Sequence, residues 1–484
     1  MSTSFPLTAR RGFVTGAVVV GGLIGAIAVL KVFLEQSMTM SGGVLIALFS
    51  VAWVLFSRGA WWFTVPTALC LGGMLNIGFK IYSYEFGFFL ALIAAIPIAL
   101  TRGSGRSRTS FLPPALVALG VYLAFRMGVD LYMGLMDGYP LGNIFRVYVI
   151  GLWPLVFAIP FVFLGSTKHL KTALWIMYSA ALVRCLLGVA GYVFPQVLPM
   201  TGISVVLPGL YSEGIELRAS GIWLLYLALS SWSLSGRRIH WVHSSMVVFA
   251  VACVLLGGGR GSLGLMVGLL GIWMCVERRF VMLGVCAVSL AAIAVTLNVN
   301  PDLIYGFPDR LQRMLSILMV RSPFLDVHRI IEGSDEWHRQ LATIAIARWT
   351  DSPVSFLFGH RLIPFSAGMD PMAQSFYDVM KTAADLGYYE AGLWTTLAVT
   401  GAVGGILYGL TLWKLSKPLW GWVRKERVRS IAGAFGFMAL SSTLLWLVFG
   451  WIMGHFPSEQ IVMLLIARAA YEDQKSAVAG TGTT

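Results

Sequence analysis

The stretch that decides the fold is FVMLGVCAVSLAAIAVTLN, residues 280–298, which follows Arg278 and Arg279 and contains no charged side chain. A helix of about 20 apolar residues matches the thickness of the hydrocarbon core of a bilayer, so this stretch predicts a membrane-spanning helix. The two arginines before it are typical of a cytoplasmic loop, because Lys and Arg accumulate on that side of a membrane.

The composition of the whole chain extends this interpretation. Of 484 residues, 57% are hydrophobic and 12% are charged, whereas an ordinary soluble domain carries about 25% charged residues. Mean hydropathy is +0.79. These values exclude a soluble enzyme, a disordered scaffold and a secreted disulfide protein. They predict an all-α polytopic membrane protein with about 12–14 transmembrane helices.

Apolar runs of helical length give the predicted order of helices and a division of the chain. The runs lie near residues 12–34, 42–57, 61–80, 84–100, 111–132, 145–165, 172–195, 219–235, 241–258, 262–276, 280–298, 387–413, 431–452 and 459–471. The division is a helix bundle over 1–298, a large external loop with short helices over 299–385, C-terminal membrane helices over 386–471 and a cytoplasmic tail over 472–484. The last run is short for a full crossing, so a re-entrant segment is the alternative for it.

The basic residues orient this arrangement. The formal net charge is +13, and every Lys/Arg cluster between the predicted helices falls on one side, as the positive-inside rule requires. The clusters are Arg10/Arg11, Arg58, Arg102/Arg106/Arg108, Lys168/Lys171, Arg237/Arg238, Arg278/Arg279 and the run from Lys414 to Arg429. We therefore predict a cytoplasmic N-terminus and an external loop 299–385, with no nucleic-acid partner needed to explain the charge.

Two arginines on the predicted outer side are the first candidate functional residues. Arg218 opens a span in Arg218-Ala219-Ser220-Gly221, and Arg260 follows three glycines in Gly257-Gly258-Gly259-Arg260-Gly261. Glycines let the backbone break and approach a ligand closely, and a guanidinium binds phosphate through two parallel hydrogen bonds. We interpret the pair as a site for a lipid diphosphate, the alternative being two arginines that reach the interface. The glycine run lacks the Gly-Lys-Ser/Thr ending of a Walker motif.

A carboxylate and several aromatic residues form a second candidate group. Glu390 is a lone acid at the outer end of an apolar helix, beside Tyr388 and Tyr389 and four residues before Trp394. Such a carboxylate is costly in a membrane unless it is solvated, paired or used, so Glu390 is a candidate general base. The aromatic rings offer apolar faces for sugars, and an interfacial aromatic belt is the alternative.

The external loop and one earlier span supply further candidates. For substrate binding we consider Arg339, Arg348 and Arg361, together with His338, a candidate base for which a surface position is the favoured alternative. Arg126 and Asp130 have the spacing of a helical ion pair, which we interpret as structural. No His, Asp or Glu cluster has metal-ligand spacing, so no metal and no cofactor are expected.

The order of these parts resembles the O-antigen ligase and O-antigen polymerase (Wzy-type) superfamily of bacterial envelopes. Arg218-Ala219-Ser220-Gly221 resembles the R-x-x-G element of that family, and Gly259-Arg260-Gly261 resembles its S-R-G-type element. Glu390-Ala391, nine residues and then Gly401-x-x-Gly404 resemble the ligase element H-[NSQ]-x9-G-x-x-G, with Glu390 at the position of the proposed catalytic histidine. Arg348 and Gly359 have the R-x10-G spacing of a polymerase periplasmic loop.

The resemblance implies a GT-C-like, metal-independent glycosyltransferase of the bacterial inner membrane, with its active site facing the periplasm. It would polymerise polyprenyl-diphosphate-linked repeat units into O-antigen, capsule or exopolysaccharide by inverting transfer. Arg218 and Arg260 would bind the diphosphate, and Glu390 would accept the proton of the attacking hydroxyl. Implied partners are the lipid-linked donor, a glycan acceptor, the bilayer and a chain-length regulator or flippase. The alternatives are a ligase acting on lipid A-core and a transporter or flippase of an anionic lipid-linked substrate.

Overall fold

The computed structural model describes part of the chain and shows it to be helical. The described residues are 74–76, 80–82, 112–136, 167–193, 215–235, 240–320, 325–360, 393–449 and 458–481. The helices predicted near 12–34, 42–57, 84–100 and 145–165 lie outside them.

The described α-helices agree with the predicted spans that lie after residue 110, except near 145–165. In chain order they are α1 (Leu112–Met136), α2 (Thr167–Val193), α3 (Ile215–Ser235), α4 (His240–Gly257), α5 (Arg260–Val276), α6 (Phe280–Val299), α7 (Asp309–Leu315), α8 (Leu325–Thr350), α9 (Pro353–Phe358), α10 (Leu393–Glu426), α11 (Ile431–Phe449) and α12 (Ser458–Thr481). Short 3-10 helices at Pro301–Gly306 and Ser316–Leu318 flank α7. The segment between α6 and α10 thus carries two short helices, α7 and α9, as predicted, and one of 26 residues, α8, which is longer than predicted.

One short hairpin departs from the helical pattern. Strand β1 (Met74–Asn76) pairs antiparallel with β2 (Lys80–Tyr82), with Met74 opposite Tyr82 and Asn76 opposite Lys80. The helix predicted near 61–80 therefore does not extend to residue 80.

Four of the described helices are long and apolar enough to cross a membrane. The four segments are Val117–Met136, Leu170–Val193, Phe280–Val299 and Leu393–Glu426. Shorter apolar helices lie at Trp241–Gly257, Gly261–Val276 and Ile431–Leu445. The described part of the chain is therefore helical apart from the hairpin, with helices suited to a membrane protein, whereas its GT-C-like class and its orientation stay predictions.

Burial separates central helices from peripheral ones. Residues 224–231 of α3 and 461–467 of α12 are all buried, so both helices are covered on every side at these positions. Along α6, by contrast, Leu297 is the one buried residue. The stretch with the clearest membrane sequence is therefore peripheral, while α12, whose predicted run was the most ambiguous, lies inside the bundle as a continuous helix of 24 residues.

Contacts between turns define one end of the bundle, which we call the basic end. The Val428 N–H, after α10, donates a 3.1 Å hydrogen bond to Glu277 Oε1, after α5. The Arg279 guanidinium lies 5.1 Å from the ring centre of Trp232 and 4.7 Å from that of Trp273. Turns that the charge pattern assigns to the cytoplasmic side therefore lie together at one end.

Candidate functional site

The first candidate centre is the junction at which α3 begins, α4 ends and α5 begins. Gly258 and Gly259, with φ of 70° and 110°, connect α4 to α5. A Cβ atom at position 259 would lie 2.7 Å from Arg218 Nη1 and 3.6 Å from Arg218 Cδ. Because glycine has no side chain, the Arg218 guanidinium can rest on this connection. The two predicted arginine elements thus meet in space, and we call this contact the arginine–glycine junction.

Gly221 explains why Arg218 reaches that connection. A Cβ atom on Gly221 would lie 2.9 Å from Val254 Cγ2 and 3.1 Å from the Ala250 carbonyl oxygen. Helices α3 and α4 therefore pack closely one turn beyond Arg218, which brings the arginine beside the end of α4. The R-x-x-G element combines a cation with the small residue that sets its position.

The junction has the electrostatic character of an anion site. Helix α5 begins at Arg260, and its N-cap, Gly259, has no side chain to bond the N–H groups of the first turn. Those groups carry the positive end of the helix dipole, and the Arg218 guanidinium lies next to them. The buried side chain of Ser262 follows in the same turn, its Oγ 3.4 Å from where a Gly259 Cβ would be. The side chain of Arg260 lies outside the described residues.

The second centre is a break in α10, which we call the broken-helix joint. Gly401 has φ 67° and ψ 179°, so the long helix is two helices joined at a kink. This backbone conformation is essentially restricted to glycine. The break frees carbonyl groups that a continuous helix would bond internally. The Ala398 carbonyl accepts a 2.6 Å hydrogen bond from the His360 N–H, and the Val399 carbonyl accepts one from Arg126 Nη1.

Gly359 meets Gly401 at this joint. It has φ 77° and ψ 178°, and a Cβ atom on it would lie 2.5 Å from the Gly401 nitrogen. His360 Nε2 donates a 2.6 Å hydrogen bond to the Arg348 carbonyl, near the end of α8. The two predicted elements, Arg348-to-Gly359 and Gly401-x-x-Gly404, therefore contact each other at this joint.

Arg126 and Asp130 form the predicted ion pair, and Arg126 also contacts the Val399 carbonyl. Arg126 Nη2 lies 2.7 Å from Asp130 Oδ1, and the side chains are 0% and 4% exposed. The spacing of four residues predicts the pairing. The sequence contains no sign that the same guanidinium reaches α10, since the Val399 carbonyl is 273 positions away in the chain.

Aromatic rings lie next to the joint. Trp349 and Phe356 stack with 4.9 Å between ring centres and 16° between planes, and Trp349 Nε1 donates a 3.0 Å hydrogen bond to the Phe356 carbonyl. The Trp394 ring centre is 6.2 Å from that of Trp349. We call these three rings the aromatic platform. Of its members, sequence reasoning had identified Trp394 alone, because the other two are far from it in the chain.

The remaining predicted residues fall into two groups. The Arg339 side chain is 75% exposed and pairs with Glu336 on its own helix, so the structure does not bring it to either centre. Hydrogen bonds from Gln340 and then from Arg339 lower the pKa of Glu336. His338 is half-buried on α8. Glu390, Tyr388, Tyr389 and Arg361 lie outside the described residues.

A short helix links the segments that carry the two centres. Helix α7 packs against α4 and α5 and also against α8, and its Met314 is completely buried in the core. Within the described segments, no three His, Cys, Asp or Glu residues are grouped so that they could hold a metal ion.

Comparison with known proteins adds no relative. No protein-family model matches the chain, and no curated protein matches it.

Proposed function

We propose that this chain is a membrane glycosyltransferase that polymerises polyprenyl-diphosphate-linked glycan units on the outer face of the inner membrane. The observation that carries the proposal is the arginine–glycine junction. There, a guanidinium lies on a glycine connection beside the first turn of α5. A fixed cation and N–H groups at one point are suited to binding a diphosphate and to stabilising charge that develops on it.

In the proposed reaction, the acceptor hydroxyl oxygen bonds to the anomeric carbon of the donor glycan. The bond from that carbon to the diphosphate breaks, and its electron pair stays with the departing polyprenyl diphosphate. Arg218 and Arg260 stabilise the negative charge on this leaving group. Glu390 accepts the hydroxyl proton, and attack opposite the leaving group inverts the anomeric centre.

The aromatic platform beside the start of α10 supports a glycan acceptor. Trp394 lies four residues after Glu390, and its ring is 37% exposed. The Trp349 ring is fixed by stacking and by its hydrogen bond to Phe356. Exposed, immobilised rings offer apolar faces on which sugar rings can pack, with little entropy lost on binding.

The test is glycan extension by the purified protein in lipid nanodiscs. With a lipid-diphosphate oligosaccharide as sole substrate, we expect longer glycans in steps of one unit and release of polyprenyl diphosphate. Glu390→Gln and Arg260→Ala should abolish both, whereas Arg339→Gln, an exposed arginine of the same region, should retain them. Full activity of both site variants would refute the assigned site. Transfer only to an added lipid A-core acceptor would identify a ligase instead.

A second candidate function is transport of an anionic lipid-linked substrate. The broken-helix joint favours it, because discontinuous helices next to buried charges are typical of transporter binding sites. Reconstitution in vesicles separates the two functions. A transporter would move the lipid-linked glycan between leaflets with its diphosphate bond intact, whereas the proposed transferase would cleave that bond.

A further inference from the structure

Arg126 connects α1 to α10 through a backbone carbonyl, that of Val399. This carbonyl is available to a side chain only because α10 is broken. In a continuous helix, the Val399 carbonyl would accept a hydrogen bond from the N–H four residues on. Gly401 interrupts that pattern, and Arg126 Nη1 supplies the replacement donor. A buried carbonyl without a donor destabilises the fold, so the position of the break depends on this guanidinium.

Asp130 fixes the guanidinium for this task. Its Oδ1 lies 2.7 Å from Nη2 of Arg126, which leaves Nη1 directed at Val399. Phe125, the preceding residue, contributes on the same side: its Cε1 lies 3.0 Å from where a Gly404 Cβ would be. Helix α1 therefore contacts α10 both before and after the break.

The second carbonyl freed by the break, that of Ala398, connects α10 to the segment of α8 and α9 that ends at His360. Ala398 accepts the His360 N–H, and His360 in turn bonds the Arg348 carbonyl. The outer half of α10, Leu393–Thr400, is thus held from two directions, by α1 and by the α8–α9 segment. This half-helix carries Trp394 and begins three residues after Glu390.

We propose that Arg126, oriented by Asp130, is a positioning residue for glycosyl transfer. It sets the angle of the outer half of α10 through the Val399 carbonyl, and that half-helix carries Trp394 of the aromatic platform. The proposal rests on the transferase function stated above. It assigns to Arg126 a role beyond that of a structural ion pair.

A matched ion pair elsewhere in the chain provides the control. Arg468 and Glu472 of α12 have the same spacing of four residues and a separation of 2.8 Å, with 13% and 16% exposed side chains. The Arg468 guanidinium lies over the Tyr471 ring of its own helix, 5.2 Å from the ring centre. This pair has the same chemistry but lies on a different helix from the joint.

The experiment compares Arg126→Met/Asp130→Leu with Arg468→Met/Glu472→Leu. Replacing both members of a buried pair leaves no uncompensated charge, so both double variants are expected to fold. For the first, we expect a loss of at least about tenfold in kcat, with KM for the lipid-linked donor changed less than about threefold. The second should keep kcat within about twofold. Arg126→Lys keeps the charge but lacks the planar guanidinium group, and its kcat should lie between the values of the two double variants.

A second readout does not need activity. Hydrogen exchange at the His360 amide reports the bond to Ala398, and it should accelerate at least tenfold in Arg126→Met/Asp130→Leu. Wild-type kcat in that variant, or reduced kcat with unchanged His360 exchange, would overturn the positioning role. A wild-type protein without transfer activity would overturn the proposed function instead, while the exchange measurement still decides whether Arg126 fixes the break.

Discussion

The two arginine centres hold their guanidinium groups in different ways. At the broken-helix joint, the Arg126 charge is compensated by Asp130, and a second donor is directed at a backbone carbonyl. At the arginine–glycine junction, Arg218 rests on a connection that has no side chain, beside the first turn of α5. Arg126 is completely buried, whereas Arg218 is partly exposed.

From the difference in burial and in backbone surroundings, we propose a structural role for Arg126 and ligand binding for Arg218. Arg126 directs its Nη1 at the Val399 carbonyl and its Nη2 at Asp130, both groups of the protein itself. Arg218 lies where an approaching anion would meet a cation and helix N–H groups together. Substitutions at the junction should therefore act first on activity, and substitutions at the joint should act on stability as well.

The largest effect is expected from Arg218→Ala. Loss of one fixed donor to a developing charge typically costs about 10²–10³ in rate, so we expect a loss of that size in kcat. The unfolding temperature should change little, because the side chain is only partly buried. Single-turnover release of polyprenyl diphosphate measures the effect. Equal loss of activity and of folded protein would show that Arg218 is structural.

A smaller loss of activity is expected from Gly259→Ala. The new Cβ would lie 2.7 Å from Arg218 Nη1, at a φ that L-residues rarely adopt, so the guanidinium must move. We expect the KM for the donor to rise by about tenfold, near 1.4 kcal/mol in binding. Gly261→Ala is the control, because a Cβ there would meet nothing within 4 Å. Indistinguishable kinetics of the two variants would contradict the prediction.

The joint is tested by Gly401→Ala, for which stability is the main readout. The backbone conformation at this residue costs a non-glycine side chain about 1–3 kcal/mol, and the Cβ would also meet the Leu357 carbonyl group. We therefore expect thermal unfolding of the detergent-solubilised protein to shift markedly downward. Gly409→Ala, on the same helix with open space around its Cβ position, should leave the transition unchanged or raise it. A tolerated Gly401→Ala would mean that the break does not need glycine.

The smallest effect is expected from Arg339→Gln. Its side chain is 75% exposed and its partner Glu336 is on the same helix, and such surface pairs contribute little. We expect activity within about twofold of wild type. Since Arg339 is one of the groups that lower the pKa of Glu336, that pKa should rise slightly in the variant, as NMR titration of the carboxyl group would show. A large loss of activity would place Arg339 in substrate binding after all.

Local patterns in the sequence predicted a large part of the fold and some of the contacts at the two centres. Helix positions followed from runs of apolar residues, and the Arg126–Asp130 pair followed from a spacing of four. The interruption near Arg260 followed from three successive glycines. The break at Gly401 was not predicted, because a glycine within an apolar run also suits a continuous, closely packed helix. The contacts of Gly359 with Gly401 and of Trp349 with Trp394 join distant segments, and no local pattern encodes them.

The sequence by itself determined that the chain is helical, that it belongs in a membrane and which residues carry charge there. Hydrophobic length and charge are properties of each segment alone, so they can be read one segment at a time. Only the tertiary structure decided that Arg218 lies on Gly259, and that Arg126 bonds the carbonyl freed at Gly401. The physical reason is that buried backbone groups must find partners wherever packing places them, and packing depends on all the helices together.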